Sequence, residues 1–378
     1  MKWFGKKQPD TVIGVDVGAS AIKLVELAHE KGRSRLMTYG KANWPLTEGS
    51  AFDDPKKSGR LLAELIKRSG VVGKKAVASL PVSEVFSAVI AIPEPQNEVE
   101  ARPLIEAQVQ KLVSLPLEEL SLSSTFIDKV RKESVLKKEV GKKKGRQEEK
   151  TANEQMLEAV KRAPKKQKNV RVLFTAAPKA LINKYKELFA SAHLELSSLD
   201  IESFGLIRSL VGKDRSTMLL IDVGASRTNL TIVKETIPFY TRSVQVGGNQ
   251  LTRRLSEVLG VGAAEAEQLK HDLSYATDTG VGAQVLETIF GQLVHESQYV
   301  FEQYKRQEFA GGEPVEKVVL TGGSSQIPGL RELLTDKLNL NTYLGDPWAR
   351  VVFPEDVRSM LEEDGPSLSI AVGLAMRD

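Results

Sequence analysis

The sequence predicts an α/β protein built from two related halves, and three observations carry that expectation. The pentapeptide Asp-Val-Gly-Ala-Ser occurs twice, at residues 16–20 and 222–226. Each copy follows an apolar run (11–15 and 218–221) and precedes a second β-prone run (22–27 and 230–233). A repeated unit of this kind marks an architecture assembled from related pieces. A third glycine turn, Thr321-Gly322-Gly323-Ser324-Ser325, follows the apolar strand 318–320 and leads into a helix over 329–337. At 378 residues and 41% apolar content, the chain is an ordinary globular sequence too long for one core.

The elements follow in order. Residues up to 81 read as strands with one helix at 56–69, where Leu61, Leu62, Leu65 and Ile66 share a face. Gly70 and Gly73 end that helix, and 76–80 is a short buried strand. A second region opens with an alternating strand at 85–92, halted by Pro93 and Pro95. In the next helix, Arg102-Pro103 fits a first-turn proline, Ile105, Val109, Leu112 and Val113 form the stripe, and Leu115-Pro116-Leu117 closes it.

From Asp128 to Arg171 there are sixteen Lys and Arg against seven Asp and Glu, a net +9 in a chain totalling +4. Without aromatics or β-branched runs this stretch cannot bury enough surface to fold, which predicts a flexible insertion with a short helix near 154–160. No stacking aromatics interleave the charges, which favours a solvated loop over a nucleic-acid site. Order resumes with a strand at 170–177 and a helix at 178–191, whose apolar face is Leu181, Ile182, Tyr185, Leu188 and Phe189. After the second repeat, Gly247-Gly248-Asn249 opens a helical stretch to about 309, with Leu251, Leu255, Val258 and Leu259 on one face. The small-residue run 368–375 reads as a last helix.

Composition excludes several chemistries. There is no cysteine, and His29, His193, His271 and His295 lack metal-ligand spacing. No stretch approaches the ~20 apolar residues that cross a bilayer. Met1 to Lys7 is charged with no apolar run behind it, which reads as a frayed tail and not a secretory signal. A cytoplasmic chain is expected.

Glycine lets backbone N–H groups approach phosphate oxygens, and consecutive N–H groups form an anion-binding concavity. An aspartate beside such a turn repels phosphate unless a hard cation such as magnesium, holding its waters, lies between. Two Asp-x-Gly hairpins facing one another would clasp a phosphate tail. No Walker pattern exists here, and strands follow the glycines.

These residues resemble the actin-like ATPase superfamily. Asp16-Val17-Gly18-Ala19-Ser20 is similar to its first phosphate motif, Asp222-Val223-Gly224-Ala225-Ser226 to its second, and Thr321-Gly322-Gly323-Ser324 to its adenosine motif. Asp200-Ile201-Glu202-Ser203-Phe204-Gly205 and Ala371-Val372-Gly373-Leu374-Ala375 resemble its two connecting helices. Ile13-Gly14-Val15-Asp16-Val17-Gly18, Lys23-Leu24-Val25-Glu26, Ala176-Ala177-Pro178, Val246-Gly247-Gly248-Asn249 and the run from Gly322 to Leu330 resemble the PilM family of type IV pilus assembly proteins.

The resemblance implies an actin-like ATPase fold: two related halves around a nucleotide cleft, with an FtsA-like inserted subdomain. The first half would comprise 1–82, 195–212 and 365–378, and the insertion 83–194, with the flexible part at 129–168. The second half would comprise 213–246 and 315–364, with a helical subdomain at 247–314. It further implies ATP with magnesium. Asp16, Gly18, Ala19, Ser20, Lys23, Asp222, Gly224, Ala225 and Ser226 would hold the phosphates, Asp16 and Asp222 reaching magnesium through water.

Gly248, Glu267, Lys270, Gly322, Gly323 and Ser324 would hold adenosine, and Glu202 would polarise water. From the residues alone, Glu202 is equally a first-turn carboxylate favoured by the helix dipole, and Glu267 with Lys270 a surface i,i+3 pair. The second phosphate turn reads Gly224-Ala225-Ser226-Arg227-Thr228-Asn229 where many relatives have three glycines and a later aspartate, so binding with slow or absent hydrolysis is expected.

As partner, the resemblance implies the cytoplasmic N-terminal peptide of the inner-membrane protein PilN, captured in a groove by the inserted domain. It links the chain to pilus motor ATPases at the inner face of the inner membrane, in twitching motility. Self-association is left open, and no nucleic acid is expected. The alternatives are an FtsA-like polymerising cell-division protein and a small-molecule kinase of the same fold. The sequence stops at Arg377-Asp378 without an amphipathic tail, which favours the pilus reading.

Overall fold

The structure is a computed structural model that describes residues 10–30, 32–44, 51–127, 169–271, 281–307 and 312–377. The expected N-terminal tail, the basic insertion and its helix near 154–160 lie outside the described residues. The chain divides into two compact units, one of residues 1–84 with 181–378 and one of residues 85–180.

The larger unit holds two sheets of one plan. The first contains β1 (Thr11–Val17), β2 (Ala21–Glu30), β3 (Arg33–Asn43), β4 (Lys75–Leu80), β8 (Glu195–Ile201) and β14 (Val351–Val352), in the order β14-β3-β2-β1-β4-β8. The second contains β9 (Met218–Val223), β10 (Thr228–Lys234), β11 (Ile237–Val244), β12 (Lys317–Thr321) and β13 (Thr342–Leu344), in the order β11-β10-β9-β12-β13. In each, three antiparallel strands are followed by two that run parallel to the first. The sequence repeat is therefore a repeat of topology.

The first strand of each half is buried on both faces, which is why each reads as a continuous apolar run and not as an alternation. On β1 the backbone itself is the contact surface. A Cβ at Gly14 would lie 1.9 Å from Ala371 O in helix α9 (Arg358–Ala375). Helix α1 (Pro55–Ser69) starts at Asp54, whose Oδ1 accepts from Lys57 N at 2.9 Å, and stops at Gly70 with φ 67°; both ends obey ordinary capping chemistry.

Helix α3 (Lys179–Ser191) falls within the 83–194 expected for the insertion. From Leu181 onward it lies in the larger unit, where Tyr185 OH donates to Ser79 O at 2.5 Å and Leu188 abuts Gly59.

Asp200 and Ile201, expected at the start of a connecting helix, end strand β8 instead. Helix α4 (Glu202–Leu206) begins after them and widens into a π turn at Ile207–Val211. It crosses α9 backbone to backbone, since a Cβ at Gly373 would lie 1.8 Å from Gly205 O. Arg208 secures the crossing: its Nε donates to Gly373 O at 2.7 Å and its Nη2 to Asp200 Oδ2 at 2.5 Å. The helices of the second half are α5 (Gly248–Leu259), α6 (Ala263–His271), α7 (Val281–Arg306) and α8 (Leu330–Leu338).

The smaller unit is a three-stranded antiparallel sheet in the order β5-β7-β6, from β5 (Phe86–Pro93), β6 (Leu120–Phe126) and β7 (Asn169–Pro178). Helix α2 (Glu98–Leu112) covers it through Ile105 and Val109, packed on Ile92, Val172 and Phe174. Pro103 lies inside this helix and not in its first turn. The helix starts earlier because Asn97 Oδ1 accepts from Glu100 N at 3.0 Å while Glu100 Oε2 accepts from Gln96 N at 2.9 Å. The reciprocal cap outweighs the one ladder bond the proline removes.

Candidate functional site

The two pentapeptides fold identically. In the first, Val17 faces Ile22 across the hairpin and Gly18 N donates to Ala21 O at 3.0 Å. In the second, Val223 faces Thr228 and Gly224 N donates to Arg227 O at 2.9 Å. Both turns open on one cleft of about 560 Å³. Its lining includes Asp16, Gly18, Ala19, Ser20 and Lys23 from the first half, Asp222, Gly224, Ala225 and Ser226 from the second, and Glu202 and Gly323. Every residue expected at phosphate thus faces the same space.

The registers of the two hairpins place different groups beside equivalent acids. Lys23 stands opposite Asp16, and Asn229 opposite Asp222. Lys23 Nζ lies 3.2 Å from Asp16 Oδ2, and Ser79 Oγ donates to Asp16 Oδ1 at 3.2 Å. Burial opposes the Lys23 ammonium, but Asp16, Asp222 and Glu202 together raise its pKa. Asp222 accepts from the Asn229 amide; burial pushes its pKa up to about 6, with Lys23 opposing the rise, Asp16 adding to it and the Asn229 bond opposing it.

Glu202, at the first turn of α4, is half-buried at the cleft floor. Its Oε2 accepts from Val82 N and from Asn229 Nδ2, each at 3.0 Å. Burial, then Asp16 and Asp222, push its pKa up to about 8. Three carboxylates and one ammonium therefore share the floor, the kind of crowding that marks ligand-binding and catalytic sites.

The expected adenosine residues form a second layer. Gly323 lines the cleft, while Gly248, Glu267, Lys270, Gly322 and Ser324 lie outside its lining. Gly322, at φ 96°, is required: a Cβ there would meet Asp222 Oδ1 and Val223 O at 2.5 Å. Its N–H donates to Pro366 O at 3.0 Å, and Ser324 N donates to Val223 O at 2.9 Å.

Gly248 opens α5 directly behind the second hairpin. Its N–H donates to Gly224 O at 3.1 Å, and Ser324 Oγ fills the space a Cβ would need. Glu267 and Lys270 do form the i,i+3 pair, at 2.5 Å, and Thr252 Oγ1 donates to Glu267 Oε2 at 2.5 Å. The buried Lys270 lies against Gly248 as well, so this pair is tied into the site's supporting layer and is not a free surface bridge.

Sequence reasoning missed Ser79 and treated Asn229 only as a deviation. Asn229 could have been found by aligning the two repeats, because it stands seven residues after Asp222 as Lys23 does after Asp16. Ser79 leaves no such signal, since only the parallel pairing of β4 with β1 brings it to Asp16.

The two carboxylates facing across a glycine-lined cleft fit a hydrated magnesium ion, which prefers carboxylate and phosphate oxygen and keeps several waters. No group of three or more His, Cys, Asp or Glu side chains placed to hold a metal ion exists among the described residues. No helix among them is long and apolar enough to cross a membrane.

The family described as Type IV pilus assembly protein PilM matches residues 14–159 and 153–378. A solved PilM-PilN type IV pilus biogenesis complex aligns at TM-score 0.76 with 21% identity, covering 97% of this chain and 98% of that one. The ethanolamine utilization protein EutJ from Carboxydothermus hydrogenoformans aligns at TM-score 0.52 with 14% identity, covering 98% and 91%. Cell division protein FtsA from Enterococcus faecalis is 24% identical over 201 residues, 47% of this chain and 44% of that protein. The chain thus spans less than half the length of the FtsA it matches. The fold is the actin-like ATPase fold with its FtsA-like insertion.

Proposed function

The chain belongs to the PilM family of type IV pilus assembly proteins, and on that premise we propose that it is an ATP-binding scaffold. With nucleotide in its cleft it captures the cytoplasmic N-terminal peptide of the inner-membrane protein PilN and links it to the pilus motor. The observation that carries the nucleotide reading is the convergence of Asp16 and Asp222 on one cleft from two identically folded glycine hairpins. The partner reading is supported by family membership and by the whole-chain likeness to a chain of the solved PilM-PilN complex.

In this reading, Asp16 and Asp222 hold the waters of a magnesium ion, which would neutralise phosphate charge when bound. The N–H groups of residues 18–20 and 224–226 take phosphate oxygens, and the layer of Gly248, Glu267, Lys270 and Ser324 supports the nucleoside side. Binding is favoured over turnover by the state of Glu202. Its Oε2 already accepts from Val82 N and Asn229 Nδ2, so the carboxyl is engaged at the cleft floor and must give up those bonds before it can orient a water.

Thermal unfolding with and without Mg-ATP tests this. At about 100 times its dissociation constant, a ligand should add about 2.7 kcal/mol to the wild-type chain and nothing to Asp16→Ala. No shift in the wild type sinks the nucleotide reading. For the partner, a PilN N-terminal peptide is titrated in the presence of Mg-ATP, and absence of binding sinks the capture reading. The FtsA match favours one second reading, ATP-dependent polymerisation, which sedimentation at high concentration would reveal.

A further inference from the structure

The registers of the two sheets extend each hairpin pair by one more strand. Across the first sheet the row is Asp16, Lys23, Lys41; across the second it is Asp222, Asn229, Ser243. Directly opposed residues on neighbouring strands point to the same face, so Lys41 shares the face on which Lys23 reaches Asp16. The equivalent serine carries no charge, and its buried Oγ has no hydrogen-bond partner among the described residues. The two rows thus match in position and differ by two positive charges.

Lys41 is exposed and makes no hydrogen bond or ion pair among the described residues. Its electrostatic surroundings come from both halves: Lys23 on its own sheet, Glu267 and Lys270 on α6, and Asp364 on α9. Desolvation, and then Lys23, hold its pKa below the usual lysine value, with Asp364 and Glu267 opposing and Lys270 acting in the same direction as Lys23. Among the described residues its ammonium makes no ion pair and lies in the field of two other ammonium groups as well as of Asp364 and Glu267, so an anion brought between the ammonium groups would favour it. The cleft floor, by contrast, sets Asp16 and Asp222 against one lysine and opposes a polyphosphate that arrives without its cation.

We propose that Lys41 is a further phosphate-binding residue, reaching a nucleotide's phosphate tail from the rim of the cleft, on the side of the Glu267–Lys270 pair. This rests on the nucleotide reading above. Lys41 offsets the carboxylates that hold the cation, and it makes the first half the cationic jaw of the cleft.

The test compares wild type, Lys41→Met and Lys41→Arg with Mg-ATP, ADP and adenosine, by calorimetric titration or by competition against a fluorescent nucleotide. Methionine keeps the aliphatic stem and removes the charge. The expected result is about tenfold weaker binding of ATP and ADP to Lys41→Met, as for loss of a charge-assisted hydrogen bond. Adenosine affinity and the melting temperature of the free protein should not change, and Lys41→Arg should recover most of the loss. Unchanged ATP affinity in Lys41→Met overturns the inference while leaving nucleotide binding intact. An equal loss for adenosine also overturns it, because the residue would then act through the fold or the nucleoside. Absence of nucleotide binding by the wild type overturns the underlying reading, and this inference with it.

Discussion

The two hairpins have the same five residues, the same register and the same closing hydrogen bond, yet they are electrostatically unlike. The first pairs its aspartate with an ammonium and a serine hydroxyl; the second pairs its own with an amide. They are also supported differently. Behind the first, Trp44 N donates to Ser20 O at 2.8 Å from the chain just past β3; behind the second, the first N–H groups of α5 take Gly224 O and Ala225 O. A repeat can therefore preserve backbone geometry while specialising its sides, one jaw for charge and the other for attachment to the nucleoside layer.

The largest expected effect comes from making the first jaw resemble the second. Lys23→Asn leaves the buried Asp16 carboxylate with Ser79 alone. Removing one partner of a buried pair costs about 3 kcal/mol or more, which chemical denaturation at pH 7.5 would measure. A loss below about 1 kcal/mol would mean that Lys23 is not what balances the floor.

A smaller effect lies in pH. Glu202 and Asp222 have folded-state pKa values near 8 and 6, raised from ordinary values of 4.5 and 3.8. The folded state therefore binds more protons than the unfolded chain in these windows, and stability falls as pH rises. From pH 4 to 6 both acids contribute, and from 6 to 8 Glu202 alone does. The total decline should be roughly 2 kcal/mol after allowance for solvent screening. Glu202→Gln should flatten the upper window and Asp222→Asn the lower. A profile that rises over this range would contradict the crowding described.

The smallest effect is the converse exchange. Asn229→Lys places an ammonium opposite Asp222, as Lys23 stands opposite Asp16. Asp222 should return toward the usual carboxylate range, and stability at pH 7 should rise by about 1 kcal/mol. Were the lower pH window to persist in this variant, register opposition would not be what distinguishes the jaws.

What the sequence made legible follows the same physics. Strands β1, β2, β9 and β10 announce themselves because burial on both faces demands unbroken apolar runs. Strand β6, with Ser121, Ser123, Ser124 and Thr125 at the edge of a small sheet, has no such demand and was not seen, nor were the two- and three-residue strands β14 and β13. The turn residues Gly18, Gly224 and Gly322 were visible because glycine is forced where backbone approaches backbone. Ser79, the tie of Glu202 to Val82 and the row through Lys41 depend on strand pairings 18 to 120 residues apart in sequence, which local pattern does not encode. Pro103 misled for a related reason, because a local rule about first turns was overruled by a cap six residues earlier.

The meeting of Gly205 with Gly373 has a mechanical meaning. The contact lies two residues from the C-terminal end of α9, and the rest of that helix is held along its length: Pro366 O accepts from Gly322 N and Thr321 Oγ1, and Leu361 O accepts from Trp348 Nε1. A side chain at 205 or 373 would push the two backbones apart, and because α9 also rests on Gly14 and on the turn at Gly322, the strain would reach the strand of the first hairpin and the third glycine turn together.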